Sequence, residues 1–409
     1  MRICILTQTF PQFKGDSAAP FMAGLAQGMA DSGNQVFVLT PFSQKLKLKN
    51  RGSYKIIPYK YIFPSFLHRI GYSRTLTNDL HIKPIIYFLT PMMLFFAMVS
   101  LFRLIKKEKI DIINAHWILP NGFIGAVISV FTGTPVVPTL PGSDVLMARK
   151  NYLFKSMAKL AANCATGITS NSADLLKDLS KIGIKKKRQK VIIYGVDPKE
   201  FKPQLKNIPK LKKQLRIDPN YLVVVGVGRL VEKKGFRYLI EAIPKIASNY
   251  KKVCFVIVGD GAEKEMLQNI AEKLNVSKYC RFTGMIDYKK LLDYYNLGDI
   301  FILPSVRDRE GNIDDQSVSV VEAMACGKPI ITTNFSGYKI VVKEGENGFL
   351  TDEKNTDQIA KAINKLIRNP SLREKMGQKS RQLVLEKFSW KAIGREYTNF
   401  FNEILLNKH

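Results

Sequence analysis

Short apolar runs that end in a glycine or proline turn, each followed by a helical stretch and then another apolar run, recur through both halves of this chain. That repeat leaves few folds open. Residues 2–7 (RICILT) have strand length, and a polar loop with Pro11, Gly15 and Asp16 follows. A helical stretch from Pro20 to Ser32, closed by Gly33, leads to a second run at 35–40. A strand buried on both faces reads as an uninterrupted apolar run, and parallel neighbours need a crossover, usually a helix. The order strand, loop, helix, strand is therefore one unit of a parallel α/β sheet. Further strands of the first half are expected at 111–115, 135–139, 166–170 and 191–194. A second series begins at Tyr221, with strands expected at 222–226, 253–258, 300–303, 329–333 and 348–350. Between the first two of these, Phe236, Leu239, Ile240, Ile243, Ile246 and Ala247 repeat with the helical period.

At 409 residues the chain is long enough for each half to bury its own core. The stretch 197–218 is broken by prolines and aspartates, rich in lysine and without period. The expected organisation is an α/β chain of two doubly wound, Rossmann-like domains. The first covers 1–200 and the second 219–387, with a linker at 201–218 and a C-terminal helix at 388–409 returning to the first domain. Ligands of such folds bind at the carboxyl ends of strands, where loops meet helix N-termini, here in a cleft between the domains.

Charge narrows the function. Sixty-three Lys and Arg against 34 Asp and Glu give a net charge of +29, which draws polyanions: nucleic acid, anionic membrane or phosphorylated substrates. Neither a base-stacking strand nor a helix-turn-helix accompanies it, so nucleic acid is not an expected partner. The five cysteines, Cys4, Cys164, Cys254, Cys280 and Cys326, form no CxxC pair, which points to a reduced cytoplasmic setting without disulfides or a zinc cluster. MRICILTQTF lacks the layout of a signal peptide. Residues 85–102 run 18 positions without a charge, inside a stretch (41–110) with 13 basic and 2 acidic residues. Pro91 interrupts the run, and a strand of the first sheet follows at once, so a membrane crossing would split that sheet. Two readings remain: a buried core helix, and a helix lying in the interface of an anionic membrane, with peripheral attachment the favoured expectation.

Two constellations carry chemistry. In GVGRLVEKKGF (226–236) a strand ends, and Arg229 and Lys234 precede a helix start. A guanidinium fork, a mobile ammonium and helix-terminal N–H groups make an anion site suited to a diphosphate; a solvated basic turn is the bland alternative. In DDQSVSVVEAMACGKPIITT (314–333), Asp314 lies in a loop and Glu322 in a helix that ends near Cys326, with Gly327 at its C-cap. An otherwise apolar helix has little reason to carry a glutamate unless it binds something.

Together with FPQFKG, DIINAHWILPNG, PGSD, YGVDPKEFKP, VGDGAEKEML and RFTGMIDYKKLLDYYNLGDIFILPS, these segments give the chain a resemblance, over nearly its whole length, to the family-four retaining glycosyltransferases of the GT-B fold. The resemblance implies transfer of a sugar from a UDP- or GDP-linked donor with retention of configuration. It implies no metal, and no cofactor besides the donor. The acceptor it implies is a lipid-linked saccharide, in cell-surface polysaccharide or glycolipid synthesis on the inner face of the cell membrane. By position, Arg229 and Lys234 resemble the pair holding the donor diphosphate, and Glu322 resembles the acid that binds the ribose hydroxyls. Asp314, where the family usually has Glu, would touch the sugar hydroxyls. Gly15 resembles the loop glycine beside donor and acceptor. Gly228, Gly284, Met285, Ser317 and Val318 complete the donor site so implied.

One departure concerns catalysis. The family's His-Gly-Ser-Asp block reads Pro141-Gly142-Ser143-Asp144 here, and proline offers no side-chain donor or acceptor. His116 is a candidate for the missing role, with Asp144 beside it in the catalytic set; the plain alternative makes His116 structural. A degenerate homologue that binds nucleotide or saccharide without turnover is the rival reading. A nucleotide-cofactor oxidoreductase fails because no G-x-G-x-x-G follows the first strand. Asp308 and Glu310 resemble a metal-binding acid pair only formally and are read as loop.

Overall fold

The structure is a computed structural model that describes residues 1–13, 16, 19–46, 53–68, 70–71, 84–142, 151–184, 188–314 and 316–406. It divides into two units, Met1–Tyr194 with Trp390–His409, and Gly195–Ser389.

The first unit runs β1 (Arg2–Leu6), α1 (Pro20–Asp31), β2 (Gln35–Pro41), β3 (Tyr54–Tyr59), α2 (Pro84–Glu108), β4 (Ile112–His116), α3 (Phe123–Thr132), β5 (Val136–Leu140), α4 (Tyr152–Cys164), β6 (Ile168–Ser170), α5 (Ala173–Lys181) and β7 (Gln189–Val191). The sheet is wholly parallel in the order β3-β2-β1-β4-β5-β6-β7. Residues 3–6 of β1 are fully buried because both faces of a central parallel strand are covered. The chain leaves β1 toward β2 and β3, and α2 carries it back across the sheet to β4. The switch point thus lies between β1 and β4. One face of α2 joins β1, β2, β4 and α3 in a common apolar core that includes Leu6, Leu39, Met93, Ala97, Leu101, Ile113 and Ile124. The C-terminal helix (Trp390–Leu406) packs on α1 without an intervening layer of side chains: a Cβ on Gly394 would lie 2.1 Å from the Gly28 backbone.

The second unit runs α6 (Ile208–Gln214), β8 (Leu222–Val227), α7 (Phe236–Ala247), β9 (Val253–Val258), α8 (Lys264–Lys273), β10 (Cys280–Phe282), α9 (Leu291–Leu297), β11 (Ile300–Leu303), α10 (Val318–Ala325), β12 (Ile330–Thr333), α11 (Tyr338–Val341), β13 (Gly348–Thr351), α12 (Thr356–Arg368) and α13 (Pro370–Leu383). Its parallel sheet has the order β10-β9-β8-β11-β12-β13, with the switch point between β8 and β11. Both sheets are of the doubly wound kind expected for GT-B chains.

Three features depart from the sequence expectation. The stretch 201–218, expected as a linker, belongs to the second unit: it carries α6, and the Arg281 guanidinium donates to the Leu215 carbonyl at 2.8 Å and the Arg216 carbonyl at 3.1 Å. Edge strands β3 and β10 had no counterpart in the expected set. Tyr54–Tyr59 alternates only over its first three residues and includes exposed Lys55 and Pro58, as edge strands do. Cys280–Phe282 is only three residues long, too short for a periodic signal.

Candidate functional site

Strand β8 is buried throughout and delivers the chain to its carboxyl end at Gly228. The turn that follows places Arg229 at the exposed surface and buries Leu230. Residues Glu232–Lys234 then wind one tight 3₁₀ turn. Gly235 closes it at φ +67°, where a Cβ would sit 1.9 Å from the Pro304 carbonyl oxygen, so only glycine lets the turn rest on the end of β11. Helix α7 starts at Phe236. The turn folds the Lys234 side chain inward, with a Cβ on Gly228 standing 3.4 Å from its Cδ and Cε. Lys234 is buried.

Its ammonium group donates to Asp314 Oδ2 at 2.8 Å and to Ser317 Oγ at 3.1 Å. Asp314 is held from two further sides. The Tyr338 hydroxyl, at the start of α11, donates to the same Oδ2 at 3.0 Å, and Ser305 Oγ lies 3.4 Å away at the end of β11. Among the described residues every hydrogen bond to Asp314 falls on Oδ2. About a sixth of its side chain is exposed (17%). Burial pushes this carboxyl up, but the Lys234 charge and the hydrogen bonds from Lys234 and Tyr338 outweigh it, and Asp314 is held below the usual carboxylate value. Ser317 sits at the N-cap of α10 without capping it; its Oγ is engaged by Lys234 and by Ser319 Oγ at 2.9 Å. Val318 is the first residue of that helix.

Glu322 lies one turn further along α10 and is 4% exposed. The Tyr295 hydroxyl donates to its Oε2 at 2.5 Å and the Tyr288 hydroxyl to its Oε1 at 3.2 Å. Burial raises the Glu322 carboxyl to about 7; the two tyrosine hydrogen bonds only partly counter it. The remaining expected donor residues converge at the neighbouring strand ends. The Gly228 amide donates to the Val258 carbonyl at 3.0 Å, and the Gly259 amide donates to the Gly284 carbonyl at 3.1 Å. Met285, next to Gly284, is largely exposed.

The structure thus brings Lys234, Asp314 and Ser317 into contact, and sets Glu322, Gly228, Gly284 and Arg229 on the elements around the carboxyl edge of one sheet. Tyr338, Ser305, Tyr288 and Tyr295 were not singled out from sequence. Pro304-Ser305 at a strand end was a visible signal for the second of these; the tyrosines had none, because each reaches its acid from an element distant in sequence.

In the first unit, His116 ends β4 and is fully buried. Asn114 donates its Nδ2 hydrogens to the Val137 carbonyl at 3.1 Å and Thr139 Oγ1 at 2.9 Å. Its Oδ1 therefore accepts from His116 Nε2 at 3.0 Å. That assigns the proton to Nε2 and leaves Nδ1 a bare, buried acceptor without a partner. Burial lowers the imidazole to about 3, so it is neutral at physiological pH. The ring stacks near Tyr194, with centroids 6.4 Å apart. Within this unit the geometry is that of a core histidine. Pro141 follows β5 and is partly exposed. Gly15 and Asp144, the other two candidates of this half, lie outside the described residues.

Comparison with known proteins divides the chain in the same way. A family description for Glycosyltransferase Family 4 matches residues 18–200, and one for Glycosyl transferases group 1 matches residues 207–383. An uncharacterized glycosyltransferase of Methanocaldococcus jannaschii is 25% identical over 416 residues, covering 98% of each chain. The capsular polysaccharide biosynthesis glycosyltransferase CapM of Staphylococcus aureus is 28% identical over 318 residues, 76% of this chain and 81% of that one. Among solved structures, HepE of Anabaena in complex with UDP-glucose superposes with a TM-score of 0.71 at 20% identity, over 98% of this chain and 100% of that one.

Proposed function

Because the chain belongs to the group 1, family-four glycosyltransferases, and is therefore a nucleotide-sugar glycosyltransferase, we propose that it transfers a sugar from a UDP- or GDP-linked donor to a lipid-linked saccharide, with retention of configuration and without a metal ion. The observation that carries the donor reading is the half-used pair of Lys234 and Asp314. An ammonium has three donors, and two of those of Lys234 are engaged by Asp314 and Ser317. Among the described residues the third N–H and Asp314 Oδ1 have no further partner, which suits a ligand that is anionic at one end and hydroxylated at the other. A sugar diphosphate has that form. The exposed Arg229 and the first-turn amides of α10 supply further phosphate donors. Both oxygens of Glu322 keep acceptor capacity beyond the two tyrosines, which suits a ribose diol.

Transfer then proceeds by electrostatics. The bond from the anomeric carbon to the diphosphate oxygen breaks, and Lys234 and Arg229 stabilise the charge that builds there. The acceptor hydroxyl bonds to the anomeric carbon on the same face and gives its proton to the departing phosphate oxygen. A saccharide acceptor is supported by the capsular polysaccharide relative, and its lipid link by the exposed apolar and basic residues of α2.

Pro141 favours a second reading, a homologue that binds donor without turning it over. Incubation with labelled nucleotide sugars and a membrane lipid extract separates the two. Label moving into the lipid-extractable fraction, with inversion or retention read by proton NMR of the product, supports transfer. Donor binding with neither transfer nor hydrolysis supports the degenerate reading.

A further inference from the structure

Helix α2 has two apolar faces, and only one is used by the fold. Leu89, Met93, Ala97, Leu101, Leu104 and Ile105 are buried in the core of the first unit. On the opposite side Phe88 is 74% exposed, Phe95 61%, and Phe96 and Phe102 39% each, with Met92 beside them. At 3.6 residues per turn these positions form one stripe. The same stripe continues into Arg103, Lys106 and Lys107, all exposed, and the Lys106 ammonium lies 5.7 Å from the centroid of the Phe102 ring. A helix that follows a strand begins at the carboxyl edge of its sheet, so the aromatic end of α2 lies at the edge where ligands of such folds bind. Other exposed apolar residues share that edge: Phe63 (89%) and Phe66 (65%) between β3 and α2, and Tyr152 (86%) in the first turn of α4.

Residues 88–108 are long and apolar enough to cross a bilayer, with a mean hydropathy of 1.9. Crossing would strip the buried face from the sheet core, so only the outer stripe is available to lipid. A helix with an aromatic stripe and a basic end, fixed by its other face to a folded unit, suits the interface plane, with apolar rings at acyl-chain depth and lysines among anionic headgroups. We propose that the outer face of α2 is the docking surface of this chain for an anionic lipid bilayer. The proposal rests on the lipid-linked acceptor reading for its purpose but not for its test.

Flotation with phosphatidylcholine vesicles, with and without phosphatidylglycerol, decides it. The full chain floats with the anionic vesicles at about 0.1 M salt and loses most of that binding at about 1 M, where screening shortens the reach of surface charge. Phe88→Glu with Phe95→Glu abolishes flotation, and Lys106→Gln with Lys107→Gln weakens it roughly 25-fold. All four side chains are exposed, and unchanged circular dichroism establishes that the variants fold. No flotation of the parent chain at low salt, or equal flotation of the double-glutamate variant, overturns the proposal. So does a dimer in vesicle-free buffer that Phe95→Glu splits, because the face would then belong to a second copy. Nucleotide-induced thermal shifts, read on the same samples, report the donor site separately: their absence beside intact flotation would refute the donor reading and leave the membrane face standing.

Discussion

Lys234 and Asp314 hold each other while, among the described residues, each keeps one hydrogen-bonding position in reserve, and that division of labour predicts separable phenotypes. Lys234→Ala removes a charge-assisted phosphate contact, at a cost of roughly 1.5–3 kcal/mol in affinity for nucleoside diphosphate and sugar donor alike. Asp314→Asn spares the free diphosphate and weakens only sugar-linked donors, as titration calorimetry with both ligands would show. Tyr338→Phe removes one of the hydrogen bonds that keep the Asp314 carboxyl low. Its pKa therefore rises, and the acid limb of the transfer rate moves to higher pH while the fold persists. An acid limb that stays in place in the Tyr338→Phe variant would detach Asp314 from the reaction. Glu322 behaves oppositely. Its carboxyl, ordinarily near 4.5, stands at about 7 in the folded chain because burial disfavours the charge. The folded state therefore loses stability as pH rises from about 4.5 through about 7. Glu322→Gln removes that slope, so its stability relative to the parent chain climbs between pH 5 and pH 8 in denaturant titrations. A ribose diol donates to the ionised form, so nucleotide affinity in the parent chain should rise through about pH 7 relative to the Gln variant. Parallel pH profiles in the two proteins would remove Glu322 from the nucleotide site.

At the scale of elements, the turn Glu232–Lys234 with Gly235 is the device that shapes a strand end into the proposed donor site. Gly235→Ala places a Cβ against the Pro304 carbonyl at a left-handed φ. It should cost more than about 1 kcal/mol in denaturant unfolding and lower donor affinity with it, because Lys234 is aimed by the same turn. Wild-type stability in that variant would mean the turn relaxes freely and does not aim the lysine. The strand–glycine–helix repeat that defines this element was legible from sequence, since a central parallel strand advertises itself as a bare apolar run. Edge strands such as β3 and β10 were not, because one-sided burial leaves only a weak alternation in six residues or three. The supposed linker at 201–218 misled for a related reason. Its lysines solvate one side of α6, and its ties to the second unit include backbone carbonyls accepting from Arg281 and the Gln204 and Asn207 amides donating to Asp293, which leave little mark on hydropathy. Helix α2 is core on one face and leaves an exposed apolar stripe on the other, a division not legible from sequence because an all-apolar run hides which face is covered.

For the molecule as a whole, each unit carries a separate part of the proposed chemistry. The second holds an acid–lysine cluster at one sheet edge, and its residues were legible because a charged side chain in an apolar helix or beside a glycine turn stands out in sequence. The tyrosines that hydrogen-bond those acids were not legible, since their partners are fixed only by the fold. Among the described residues of the first unit, His116 is neutral and committed to Asn114, and Pro141 offers no side-chain hydrogen bond. The central claim is that the second unit binds a nucleoside diphosphate sugar through Lys234, Asp314 and Glu322. Calorimetric titration of the full chain with UDP, GDP and ADP, each also as a sugar-linked form, tests it most directly. The account predicts saturable binding of one of these nucleotides, stronger for a sugar-linked form and lost in Lys234→Ala. No binding of any nucleotide, or equal binding by the Lys234→Ala variant, would contradict it.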